Sequence, residues 1–220
     1  MKIIIIGVSG FIGKNLFQYL NLKYDVYGLS RSKVDLKNCI QLDLYKEKDV
    51  CEYFLNNNFD IVIQLASLMA SHDNLRDSDL LLNNLKIQFN LIKALKNNKS
   101  SFFINFSSSA VYPNISGDFS ENGIIDSSSN NDCLYGLSKF NSEILFKFFL
   151  KNNFDILNLR VGYVYGDNMD KTRIHKVFEN ELKNKNTITL WGNGVRILPQ
   201  ISIDFLIKNI LIFIEKPISG

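Results

Sequence analysis

Lys2-Ile3-Ile4-Ile5-Ile6-Gly7-Val8-Ser9-Gly10-Phe11-Ile12-Gly13 is the stretch on which the fold turns. A β-branched run ended by a glycine reads as a short strand buried on both faces. The residues after it change period. Phe11, Ile12, Leu16, Tyr19 and Leu20 fall on one side of a 3.6-residue repeat, which predicts a helix over 11–22. The glycines therefore sit at a strand-to-helix junction.

Outward from that junction the same alternation continues. Apolar runs at 26–29, 40–42, 60–65, 102–106 and 156–159 read as strands. Segments 47–55, 80–96 and 134–151 read as helices, the second with Leu85, Phe89, Ile92 and Leu95 on one stripe. Strand–helix alternation with strands apolar on both faces predicts an α/β fold with a doubly wound parallel sheet. After residue 166 the rhythm changes to a helix near 173–183, a short strand at 187–190 and a strand–helix unit over 197–214. The expectation is a nucleotide-binding domain over 1–166 and a small, truncated C-terminal substrate lobe over 167–220.

Bulk properties narrow the function classes. The chain has 220 residues, 46% hydrophobic and 21% charged, with net charge +3, ordinary values for a soluble globular protein. Neither nucleic acid nor a membrane is expected as a partner. Cys39, Cys51 and Cys133 match no disulfide or metal spacing and read as reduced thiols. His72 and His175 are the two histidines, without a ligand pattern around them, so no metal site is expected. The opening apolar run is too soon broken by Gly7 and Gly10 to be a leader and is better read as the first strand.

Four elements carry chemistry. In the first turn Gly7 permits the tight bend, Gly10 lets the backbone approach a pyrophosphate, and Gly13 lets the helix pack close. With the helix N-terminus, Gly7, Ser9, Gly10, Phe11, Ile12 and Gly13 predict a dinucleotide site. After the second strand, where an acidic residue would suit NAD, stands Ser30-Arg31-Ser32. Arg31 favours a 2′-phosphate, hence NADP, with NAD as the alternative. Finally, Tyr135 and Lys139 lie four apart on a helix, sharing a face. A nearby ammonium favours the phenolate and would lower the tyrosine pKa. Ser107-Ser108-Ser109 closes the fifth strand, where ligands of open α/β sheets bind.

Taken in order, these residues resemble the extended short-chain dehydrogenase/reductase family, also called the NAD-dependent epimerase/dehydratase family, whose members have a Rossmann fold. Further matches are Asp43-Leu44, Leu65-Ala66, Asn84, Ser107 to Tyr112, Leu159-Arg160, Val164-Tyr165-Gly166, Gly192-Asn193-Gly194 and Asp204. The resemblance implies catalytic roles for Ser108, Tyr135 as acid/base, and Lys139, which holds the nicotinamide ribose. It implies cofactor contacts at Asp43, Leu44, Leu65, Ala66, Ser67 and Asn84, the last also as a structural and proton-relay residue. It implies an NAD(P)-dependent epimerase or reductase of a nucleotide-linked sugar, a cytoplasmic enzyme of the kind that feeds surface polysaccharides, and a homodimer joined through the Tyr135 helix. That helix carries Phe146, Phe148, Phe149 and Leu150.

The chain departs from the family at several points. Tyr163 stands where an Asn often contacts the substrate. Leu198 stands where an Arg often binds its phosphates, with Arg196 two residues earlier. The Asp-Glu pair of the dehydratases would fall at Ser109 and Ala110, which weakens that reading. The family continues where this chain has Lys216 to Gly220. His175 is a candidate second acid, and Trp191 reads as packing in the small lobe. The rival readings are a non-catalytic NADP-binding or regulatory protein, and a carbonyl reductase of an unlinked small molecule.

Overall fold

The computed structural model describes residues 1–98, 102–190, 192–193 and 199–218. Six parallel strands form the sheet: β1 (Lys2–Ile6), β2 (Asp25–Ser30), β3 (Cys39–Gln41), β4 (Ile61–Gln64), β5 (Phe102–Ser108) and β6 (Asp155–Val161). Their order is β3-β2-β1-β4-β5-β6, so the direction of winding reverses between β1 and β4. A crevice opens at such a switch point, outside the carboxyl ends of the strands.

Alternation along β1 fixes both layers. Ile3 and Ile5 face α1 (Phe11–Leu20), packing with Leu16, Phe17 and Leu20. Ile4 and Ile6 face the opposite layer, built by α2 (Glu47–Asn56), α3 (Ser78–Leu95) and α4 (Cys133–Leu150). All four isoleucines are fully buried. At about 25 cal/mol per Å² of apolar area, a strand buried on both faces is a large stabilising element. This is why the run carries no polar residue.

The last helix, α6 (Ile203–Glu215), packs its Leu206, Ile207, Ile210 and Ile214 into the α1 layer. This part of the 167–220 segment thus adds to the core of the sheet. β7 (Tyr163–Tyr165) pairs in parallel with β8 (Gln200–Ser202), and α5 (Ile174–Lys185) lies between them in sequence. The strand expected at 187–190 is not formed. That segment has no regular structure and is held through Thr189, whose N–H and hydroxyl donate to Glu181. Trp191, Gly194, Arg196 and Leu198 lie outside the described residues.

The stripe expected on α3 is also displaced. Phe89 is exposed, and the buried face runs through Leu80, Ile87, Leu91 and Leu95 with the polar Asn84, Gln88 and Asn90. Similarly, on α4 Phe146 and Leu150 are buried while Phe148 and Phe149 are exposed.

Candidate active site

One cleft of about 2350 Å³ opens at the switch point. Its walls include Gly7, Ser9, Gly10, Phe11, Ile12, Gly13, Arg31, Asp43, Leu44, Leu65, Ala66, Ser67, Ser108, Tyr135 and Lys139. Nearly every residue singled out in the sequence is thus gathered on one surface. Among the expected catalytic and cofactor-binding residues Asn84 is the exception. It is 2% exposed and does not reach the cleft. Its Oδ1 accepts from the Leu68 N–H at 2.7 Å, and its Nδ2 donates to the Leu68 carbonyl at 3.0 Å and to Ser138 Oγ at 3.2 Å. Asn84 thus ties the Leu68 backbone to Ser138 of α4, in keeping with the structural part of its expected role, while its buried position away from the cleft does not fit the expected cofactor contact.

The glycine turn can be tested for fit to a dinucleotide. Gly7 has φ +96°, and a Cβ there would lie 2.8 Å from the Ala66 nitrogen. A Cβ on Gly13 would lie 2.4 Å from the Gly7 carbonyl oxygen. Packing within the protein explains both. At Gly10 a Cβ would meet only the Gly7 oxygen, at an ordinary 3.5 Å. Nothing in the protein excludes a side chain there, and the space left open belongs to the cleft. Gly10 is also the N-cap of α1 and provides no side-chain cap, so the first-turn donors of the helix are available to an anion. The residues present fit a pyrophosphate.

At the other end of the cleft, α4 brings Tyr135 and Lys139 onto one face, each nearly buried. Lys139 Nζ donates to the Phe106 carbonyl at 2.9 Å and lies 5.6 Å from the centre of the Tyr135 ring. Burial without a carboxylate partner lowers the Lys139 pKa to about 8. The tyrosine departs from expectation. Burial pushes its pKa up to about 12, and a hydrogen bond with Ser67 works only partly against that. In the protein itself desolvation outweighs the lowering effects of Ser67 and Arg173, and the phenol keeps its proton. Its hydroxyl donates to Met69 Sδ at 3.3 Å. Ser108 Oγ accepts from the Ala110 N–H at 3.1 Å, capping a short 3-10 turn (Ser109–Val111) at the cleft edge.

Comparison with known proteins agrees with this geometry. The profile of the NAD dependent epimerase/dehydratase family matches residues 3–220. The chain belongs to that family. Among its relatives, it is 27% identical to the CDP-abequose synthase of Yersinia pseudotuberculosis over 98% of this chain and 74% of the relative. It is 24% identical to the GDP-L-colitose synthase of the same organism over 88% of this chain and 66% of the relative. The UDP-glucuronic acid 4-epimerase of Bacillus cereus, solved with UDP-glucuronic acid and NAD, has the same fold at TM-score 0.85 and 24% identity. That match covers 100% of this chain and 74% of the other. The family and these relatives are enzymes of nucleotide-sugar chemistry, as the sequence led us to expect.

Within this epimerase/dehydratase framework, several cleft features were not evident beforehand. Arg160 on β6 forms a fork with Glu143 on α4, Nε to Oε1 at 3.0 Å and a second nitrogen to Oε2 at 2.7 Å. Ser107 also donates to Glu143, and Arg160 donates further to Tyr112 Oη and the Glu121 carbonyl, each at 3.0 Å. Arg173, at the N-cap of α5, lines the cleft 6.0 Å from the centre of the Tyr163 ring. Cation chemistry absent from Leu198 is thus available from a different element. His175 does not line the cleft; it packs against the rings of Tyr163 and Tyr165. No helix among the described residues is long and apolar enough to cross a membrane.

Proposed function

We propose that this protein is an NAD(P)-dependent reductase or epimerase of a nucleotide-linked sugar, with Ser108, Tyr135 and Lys139 as its reacting set. The observation that carries the reading is the single cleft shared by the glycine turn and these three side chains. NAD(P) held there supplies the hydride chemistry. Gly7, Gly10, Gly13 and the α1 N-terminus would hold its pyrophosphate, Leu65, Ala66 and Ser67 would line its course, and Asp43 and Leu44 would meet the adenine. Ser108 would orient the reacting oxygen. Tyr135 would exchange a proton with the reacting sugar oxygen, donating in reduction and accepting in oxidation. Arg173 is suited to the diphosphate of the substrate.

Arg31 supports NADP over NAD. It lies exposed on the cleft wall after β2, and no acidic residue stands beside it in Ser30-Arg31-Ser32. The dehydratase reading has little support, since Ser109 and Ala110 occupy the acid-pair positions in the 3-10 turn. Incubation with NADPH or NADH and a panel of nucleotide-linked keto-sugars, followed by nicotinamide absorbance, tests both points. NADPH-dependent turnover is expected, and Arg31→Ala should weaken NADPH binding about tenfold or more with little effect on NADH. Binding without turnover would instead favour the non-catalytic alternative, and turnover lacking any need for the nucleotide would favour a small-carbonyl reductase.

A homodimer accounts for the outer faces of α3 and α4. These adjoining helices expose Leu82, Phe89, Leu137, Ile144 and Phe148, apolar residues at seven- and four-residue spacings. Two copies joined along this surface would bury it symmetrically. Sedimentation at micromolar concentration should give a dimer, and Phe148→Glu with Phe89→Glu a monomer; a monomeric wild type would refute the arrangement.

A further inference from the structure

We infer that Arg160 is a positioning residue that keeps the Glu143 carboxylate away from Lys139. The inference rests on the proposed role of Lys139 beside Tyr135. Lys139 and Glu143 are four residues apart on α4 and both nearly buried. At that spacing a lysine and a glutamate are neighbours on a helix surface and can pair. Here they do not. Adjacent residues of β5 hold them separately: the Phe106 carbonyl takes the ammonium, and the Ser107 hydroxyl donates to the carboxylate. The two nitrogens of the Arg160 fork occupy both carboxylate oxygens. Among the described residues the ion pair of Glu143 is with Arg160, and Lys139 has none.

Two further charged groups line the cleft near this pair, Asp132 and Arg173; both act on Tyr135, and neither forms an ion pair with Lys139 among the described residues. α4 contributes Tyr135 and Glu143, β5 contributes a carbonyl and Ser107, and β6 contributes Arg160. On the α3 side stand Asn84 and Gln88, which do not titrate and are bound to Ser138. Glu143, one helical turn along α4, is the carboxylate nearest to Lys139 in sequence on that helix, and both its oxygens are held by Arg160. The depressed pKa of Lys139, caused by burial, agrees with an ammonium that has no anionic partner.

The test reads Lys139 directly. Protein made with isotope-labelled lysine is titrated by NMR, the Lys139 signal being identified by its loss in Lys139→Met. In Arg160→Met the carboxylate is released, and the Lys139 midpoint should rise by about one to three pH units. In the double variant Arg160→Met/Glu143→Gln it should return close to wild type, and reduction of the keto-sugar should recover with it. A purely structural Arg160 would leave the midpoint unmoved, or leave it raised in the double variant; either result overturns the inference. If Arg160→Met does not fold, Arg160→Lys keeps the charge without the fork. A smaller rise is then expected, and no rise counts against the assignment. Because the titration needs neither sugar nor dinucleotide, absence of turnover would remove the proposed function without altering this readout.

Discussion

Replacing Lys139 with Met should make the protein more stable at neutral pH while removing its activity. The ammonium is buried, accepted only by the Phe106 carbonyl, and its pKa falls from 10.5 to about 8. Such a shift corresponds to a cost of about 3 kcal/mol for keeping the charge in the folded state. The unfolded lysine keeps its proton up to its normal pKa, whereas the folded one releases it at about 8. Between those values the unfolded state binds more protons, so stability rises with pH; below them the full cost remains. Methionine removes the charge but leaves the Phe106 carbonyl unsatisfied, which returns about 1–2 kcal/mol. A net gain of about 1 kcal/mol should raise the melting temperature by about 2–4 °C at pH 7. The gain should shrink by pH 10, while turnover falls by about 10²–10⁴-fold. Thermal melts at the two pH values, with initial rates, measure both. A variant that melts below wild type at pH 7 would mean that the lysine contributes to the fold instead of straining it.

Much of the fold was legible because its central strands carry an unambiguous signal. Ile3–Ile6, residues 61–63 and residues 102–104 are apolar at consecutive positions, as burial on both faces of a parallel sheet requires. The signal fails where polar residues do the packing. On α3, Asn84, Gln88 and Asn90 are buried because each donates to a group of another element: the Leu68 carbonyl, the Ser138 carbonyl and the Leu44 carbonyl. A hydrophobic period cannot anticipate this, so the expected stripe was right at Ile92 and Leu95 but placed Phe89, which is exposed, on the buried face. β7 and β8 are three residues each, too short for any period to register.

In the site, residue types and order were readable; depth and partnership were not. Tyr135 and Lys139 were evident from their spacing, yet the direction of the tyrosine's pKa depends on burial, which spacing does not encode. Glu143 and Arg160 were both in plain view, but their ion pair joins a helix to a strand and exists only once the chain has folded. Asn84 illustrates the opposite error. Its structural part was legible, but the side chain is buried against Leu68 and Ser138 and does not line the cleft where a cofactor contact was expected.

Gly136→Ala should cost catalysis far more than cofactor binding. A glycine inside a helix is unfavourable by roughly 0.5–1 kcal/mol relative to alanine, so its presence in the first turn of α4 needs a reason. The reason is contact. A Cβ there would lie 2.2 Å from the Ala110 carbonyl oxygen and 2.7 Å from Ser127 Cβ. Ala110 belongs to the 3-10 turn capped by Ser108, so the obstacle is the backbone that carries the serine. One added methyl must push that turn away from α4 and separate Ser108 from Tyr135. A displacement of the order of 1 Å lowers kcat by about a hundredfold. Overpacking should also reduce stability by about 1–3 kcal/mol. The glycine turn proposed to hold the pyrophosphate leads into α1 and is untouched, so NADPH affinity, followed by nicotinamide fluorescence, should stay within about threefold of wild type. Loss of kcat at nearly constant cofactor affinity is the expected signature of two reacting groups moved apart. An alanine variant with wild-type kcat would show that the turn yields without carrying Ser108 along, and the close contact at Gly136 would then serve packing alone.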